Sequence, residues 1–168
     1  PGWGTTGTVL TSVQRTLAEA GLPIAGPAAA CVMMLVGVLA QQMVRGVAPR
    51  RAVPIGLAVL VAGAGLTLWG TATAALWPLL AGGVLVGIGT YAFIYPGGLA
   101  AVAVASSGED RARAVAGYFV IAHLGFSAVP LAVGLAVDRV GAAPALGGMW
   151  VALMLAAVAL MLRIRGVR

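Results

Sequence analysis

The chain has 168 residues, 61% of them hydrophobic and only 8% charged, and its net charge is +6. Soluble domains carry about 25% charged residues, so this composition excludes a soluble globular domain and makes lipid the solvent. All the basic residues are arginines, set mainly between apolar runs and without interleaved aromatics, which argues against nucleic-acid binding and for a positive-inside membrane topology.

The first segment, "GTTGTVLTSVQRTLAEAG", is the most polar. Val9, Val13, Leu17 and Ala20 recur at helical spacing and predict one apolar face. Thr11, Gln14, Arg15 and Glu19 form a polar side, with Arg15 and Glu19 four apart and able to pair. Two readings fit: an amphipathic helix on the membrane surface, or the end of a spanning helix that lines an aqueous cavity. The chain opens at Pro1 with neither an initiator methionine nor the basic start of a signal peptide, so a fragment is expected and the second reading is preferred.

Five apolar runs follow, each long enough to span a bilayer: 25–43, 53–72, 77–105, 113–137 and 145–162. Trp69 stands near an interface. In the third run, "YPGG" at Tyr95–Gly98 predicts a break, and Gly83 and Gly87 at GxxxG spacing predict close helix packing. Met33 and Met34 read as adaptable packing. Ser106 and Ser107, three residues before Glu109 and Asp110, have the pattern of a capping box for the fourth run, and Pro130 predicts a kink within it. The expected fold is an all-α polytopic transmembrane helix bundle forming one domain.

The arginines set orientation. Arg45, Arg50 and Arg51 share one loop, Arg111 and Arg113 lie two loops later, and Arg163, Arg165 and Arg168 form the tail. Alternating crossings put these groups on one side and leave Arg15 and Arg139 on the other. The bias predicts a multi-pass protein of the plasma (inner) membrane with a cytoplasmic C-terminus. Asp138 and Arg139 are expected to stabilise a helix end on the outer side.

The only histidine, His123, sits in "GYFVIAHLGFSAVP". At 100° per residue, Ala116, Phe119, Ser127, Pro130 and Gly134 share its face. Gly117, Ile121, Gly125, Ala128 and Ala132 lie opposite and are expected to pack closely. A histidine in a spanning helix suits a proton-linked step; the alternative is a neutral imidazole bonded to a nearby carbonyl or hydroxyl. One histidine, one cysteine and four carboxylates near helix ends provide no nucleophile–base pair and no metal-ligand set. No enzyme, cofactor or metal site is expected.

Three stretches carry a resemblance: "QQMVRGVAPRRAVPIG" from Gln41, "GIGTYAFIYPGGLAAVAVASSGEDRARAVAGYF" from Gly87, and "GLAVDRVG" from Gly134. In their order, with the short loops between, they resemble the C-terminal half of a major facilitator superfamily transporter over essentially the whole chain. Residues 1–22 are then the end of the family's seventh helix, and the five runs its eighth to twelfth. The resemblance implies two inverted repeats of three helices, with "GVAP" at Gly46 and "GAAP" at Gly141 closing equivalent helices. It implies that Thr11, Gln14, Arg15, Tyr91 and Tyr95 lie on cavity-bordering helices, and His123 and Ser127 join them as cavity candidates by their shared helix face; Arg45, Arg50, Arg51, Arg111, Arg113, Asp138 and Arg139 are the gating or topology candidates. The loop after residue 43 lacks the acid that usually precedes the arginine, which puts the gating contact there in doubt. The implied function is secondary active transport of a small molecule by alternating access, coupled to an ion or proton gradient, with export as one possible direction. The implied partners are the lipid bilayer and a missing N-terminal six-helix half. The alternative is a complete small helical membrane protein acting as an accessory or oligomeric scaffold.

Overall fold

The computed structural model describes residues 1–44 and 46–166, with side chains up to residue 163. Arg45 and Arg168, and the side chain of Arg165, fall outside what is described. Every regular element among the described residues is helical. Helix α1, residues 2–19, runs as α-helix Gly2–Thr8, π-helix Val9–Val13 and α-helix Gln14–Glu19. Helices α2 (Ala25–Met43) and α3 (Pro49–Thr73) follow. Helix α4, Leu76–Ala105, carries a second π segment at Ile88–Ile94. Helices α5 (Arg111–Val140) and α6 (Ala142–Gly166) complete the bundle.

Helices α2 to α6 hold the five segments long and apolar enough to cross a membrane. Their outward faces carry large apolar side chains, among them Leu35, Leu39, Leu124, Leu131 and Leu155. In water such surfaces drive aggregation; on five spanning-length helices they mark a membrane-embedded bundle. Helix α1 is not a surface helix, since Thr5, Thr6, Thr8, Val9, Ser12, Val13 and Leu17 are all buried. Its apolar face matches the sequence reading except at Ala20, which is exposed beyond the helix end.

Helix α4 is the centre of the packing, against α2 on one side and α3 on the other; α1 lies on α5, and α6 on α3 and α5. In lipid, helices gain little from burying apolar surface against one another, so close backbone contact must hold them. Gly83 and Gly87 supply it against α2: a Cβ on Gly83 would sit 2.9 Å from Ala29 O, and one on Gly87 would overlap Met33 O. Gly56 and Gly63 do the same between α3 and α4, at 2.9 Å from Gly89 O and 2.6 Å from Val86 N. Met33 is fully buried within the core, as a packing residue should be. Met34 faces outward. Trp150 Nε1–H donates to Val61 O at 3.0 Å and ties α6 to α3.

Two local expectations change. The chain does not break at "YPGG", because α-helix Tyr95–Ala105 runs through it. Pro96 cannot donate to Ala92 O, and the irregularity is absorbed just before it, in the π segment. The capping box is not formed. Asp110 is the N-cap of α5 without a side-chain cap bond, and the Ser107 hydroxyl turns to Asp110 Oδ2 at 3.4 Å. Ser106 Oγ–H donates instead to Val102 O at the end of α4, at 2.8 Å. Pro130 lies inside α5, which continues past it to Val140.

The turn between α3 and α4 places Ala74 in the left-handed region at φ 51°. Trp69 and Trp77 flank it edge to face, with centroids 5.0 Å apart, at a helix end as interfacial aromatics require. A side chain at left-handed φ costs about 1–2 kcal/mol, which glycine avoids at some entropic cost. Ala74→Gly is expected to raise stability by about 0.5–1 kcal/mol, read as a higher melting temperature in detergent; a lower one would mean that the turn is not strained.

Candidate functional site

Two glycines bring α1 onto α5. A Cβ on Gly4 would lie 2.8 Å from Val129 Cγ2, and one on Gly7 would lie 2.6 Å from Pro130 Cγ and overlap Phe126 O. That carbonyl is the one Pro130 leaves without its i+4 donor. Gly7 and Pro130 therefore act together: proline frees a carbonyl, and glycine lets the backbone of α1 close over it.

Beside this contact opens a groove of about 560 Å³, lined by Thr11, Ser12 and Arg15 of α1 and by Phe126, Ser127, Pro130, Leu131, Gly134, Leu135 and Asp138 of α5. Its end is charged. Arg15 Nη1 is 3.0 Å from Asp138 Oδ1, and Arg15 Nε donates to Glu19 Oε1 at 2.8 Å. The side chains are about half exposed, 57% for Arg15 and 52% for Asp138, so the pair contributes only about 0–1 kcal/mol to stability. Its use is positional: it pins the end of α5 to α1 and leaves Asp138 Oδ2 and the remaining guanidinium donors to a ligand. Thr11 Oγ1–H donates to Gly7 O at 2.9 Å, which leaves its oxygen as an acceptor. The groove thus joins an apolar wall to a polar end that can donate and accept hydrogen bonds, the chemistry needed to hold a small amphipathic molecule.

Thr11, Arg15, Ser127 and Asp138 are brought together here. The Arg15–Glu19 pair forms as expected. Asp138 does more than stabilise its own helix end, because its partner is on another helix. Gln14 does not line the groove; it packs against α2, where a Cβ on Gly26 would lie 2.8 Å from Gln14 Cα. Tyr91 and Tyr95 do not act as one face. The π segment adds a residue to the turn between them, so Tyr91 packs on Gly37 of α2 while Tyr95 meets the Trp3 ring edge-on at 5.9 Å.

His123 is exposed and lies on the same side of α5 as Ser127. Its Nδ1 is 2.7 Å from Phe119 O; a carbonyl only accepts, so Nδ1 carries the proton. The ring stacks on Trp3 at 5.8 Å and 28°. It has no carboxylate partner among the described residues. The face opposite His123 is not closely packed, contrary to expectation. A Cβ on Gly117 or Gly125 would meet nothing within 4 Å, and Ile121 is 73% exposed. Helix α5 uses a third face, around Ala122, Val129 and Val133, to meet its neighbours.

Arg50 and Arg51 are exposed in the first turn of α3, and Arg111 and Arg113 in that of α5, with Arg113 Nη1 3.7 Å from Asp110 Oδ1. Arg139 is exposed in the last turn of α5. Ser12, Phe126 and Trp3 are additions. The free carbonyl of Phe126 is legible from Pro130 four residues on; nothing local marks Ser12 or Trp3. Among the described residues no group of three metal-ligand side chains converges. No family model matches the chain, and neither a curated protein nor a solved structure matches it.

Proposed function

We propose that this chain is the C-terminal half of a major-facilitator-type secondary transporter, which moves a small amphipathic molecule by alternating access under an ion or proton gradient. The observation that carries the reading is the crossed pairing of helices. Helix α1 packs on α5, and α4 packs on α2, while α1 touches α4 and α3 touches α6. Exchanging the first three helices for the last three maps each of these contacts onto another or onto itself, as inverted three-helix repeats require. The π segments support the same pairing, since they occur in α1 and α4, the first helix of each triplet. The extensive α3–α4 contact and the α5–α6 contact are exceptions, without comparable ones between α6 and α1 or between α2 and α3. On this reading the α1–α5 groove is one wall of the substrate cavity, and the N-terminal half supplies the other.

The test is uptake into liposomes by the chain alone and by the chain co-expressed with the N-terminal half. Gradient-driven uptake only with both halves is the expected result. Uptake by the chain alone would sink the half-transporter reading and favour a self-sufficient, oligomeric membrane protein. The reading also places the Arg111 end and the C-terminus in the cytoplasm of cells whose plasma membrane holds the protein. In a Cys31→Ser background, Gly108→Cys should react with an impermeant thiol reagent only from the cytoplasmic side, and Ala143→Cys only from outside. The reverse pattern would invert the topology.

His123 is assigned a positioning role, because its proton is held by Phe119 O and its ring by Trp3. His123→Gln is expected to leave the pH profile of transport by the full protein unchanged. A shift of that profile with normal expression would make His123 a proton carrier after all.

A further inference from the structure

The two walls of the α1–α5 groove run on past its lining. Along α5 the lining starts at Phe126, and along α1 at Gly7. About one turn before them stand His123 and Trp3, stacked at 5.8 Å. At 100° per residue, His123 shares a face with Ser127, Pro130 and Gly134, which all line the groove. The opposite face of α5, with Gly117, Ile121 and Gly125, borders a separate apolar cavity of about 510 Å³.

The contacts of the His123 ring fix what it offers. Its Nδ1–H is taken by Phe119 O at 2.7 Å. In the neutral ring Nε2 then carries a lone pair and no proton. A charged ring inside the membrane would need a counter-ion, and His123 pairs with no carboxylate among the described residues. His123 is exposed, twelve residues after the start of α5 at Arg111, which is about 18 Å into the helix. Toward lipid at that depth Nε2 would meet no donor. Toward the groove it is an acceptor held in place by Trp3 and Phe119.

The other end of the groove differs. There Asp138 and Glu19 both bind Arg15, two carboxylates on one guanidinium. Arg139 is 100° further round α5 than Asp138 and outside the lining. That end therefore has one negative charge in excess. His123 and Asp138 are about 22 Å apart along α5, a distance spanned by a twelve-carbon chain with a hydrogen bond of about 3 Å at each end.

We infer that His123 Nε2 determines specificity in this groove, which takes an elongated cation with a hydrogen-bond donor at its far end. The ammonium group lies at Asp138 and Glu19, the apolar chain lies along Leu131 and Phe126, and the terminal hydroxyl or N–H donates to His123 Nε2. The assignment rests on the transport reading for taking the groove as a substrate site.

Titration calorimetry of the purified chain in maltoside micelles, with ω-aminododecanol and with dodecylamine, which lacks only the hydroxyl, tests it. The unaltered chain is expected to bind ω-aminododecanol about fivefold more tightly, the effect of one neutral hydrogen bond. His123→Phe keeps a ring on Trp3 without the acceptor and should lose that preference. The chain has a single histidine, so nitrogen NMR of labelled protein reads it alone. Nε2 should be unprotonated in the free protein and shift toward the protonated position with ω-aminododecanol but not with dodecylamine. Equal binding of the two probes by the unaltered chain, or a protonated Nε2, would overturn the proposal and leave the transport reading with a substrate that has no such donor. A preference that survives in folded His123→Phe would overturn it as well, by placing the hydroxyl elsewhere. Binding of neither probe would remove the groove as a site for amphipathic molecules, and with it the substrate wall of the transport reading.

Discussion

Gly7→Leu is expected to unfold the α1–α5 contact. The new side chain must enter where Phe126 O and Pro130 Cγ already stand, and neither is the free end of a flexible chain. Overpacking of a fitted interior costs about 1–3 kcal/mol and occasionally more; against backbone we expect the upper end, about 3 kcal/mol. The measurement is the melting temperature and the monodisperse yield in detergent. Gly125→Leu is the control from the same pair of helices, with no change beyond about 0.5 kcal/mol, the range of substitutions away from any packed feature. Both positions are glycines in apolar helices, and sequence reading assigned the close-packing role to Gly125. If the two variants behave alike, α1 does not cross α5 at Gly7.

The second large effect concerns function and leaves stability nearly unchanged. Arg15→Gln and Asp138→Asn each remove one half of a half-exposed pair, so each should cost no more than about 1 kcal/mol of stability. Under the proposed function, each also removes a charged hydrogen-bonding group from the polar end of the substrate groove. Such bonds are worth about 1.5–3 kcal/mol, which corresponds to about a ten- to hundredfold loss in apparent affinity for substrate at the standard conversion. The exchanged pair, Arg15→Asp with Asp138→Arg, should restore the helix tie without restoring substrate binding, because the two charges have changed places relative to the bound molecule. Full activity in either single variant would remove the charged end from the site and leave it as a fastening between helices.

Composition and periodicity are enough to reveal a helical protein of the membrane, because each spanning run answers to a local requirement: every backbone amide must be satisfied within its own helix. For the same reason α2 is delimited to the residue at both ends, as Ala25–Met43. The Gly83–Gly87 contact is legible too, since small residues four apart on one helix leave a backbone stripe that only another helix can use. The Arg15–Glu19 pair belongs to this class, being confined to one turn of one helix.

What only the tertiary structure decided is which face of each helix meets which neighbour. The face of α5 opposite His123 has the small residues of a packing face, yet it lines a cavity, because contact is set by where α1 crosses, and α1 crosses at Gly4 and Gly7. Tyr91 and Tyr95 are four apart in sequence and part company because a π turn between them breaks the 3.6-residue period on which the face assignment depends. Asp138 and Arg15 are far apart in the chain, and their pairing across the groove follows from the approach of two helices that no local spacing encodes. In lipid, with little hydrophobic gradient to orient a helix, steric fit between backbones selects the partner, and that fit exists only once both backbones are in place.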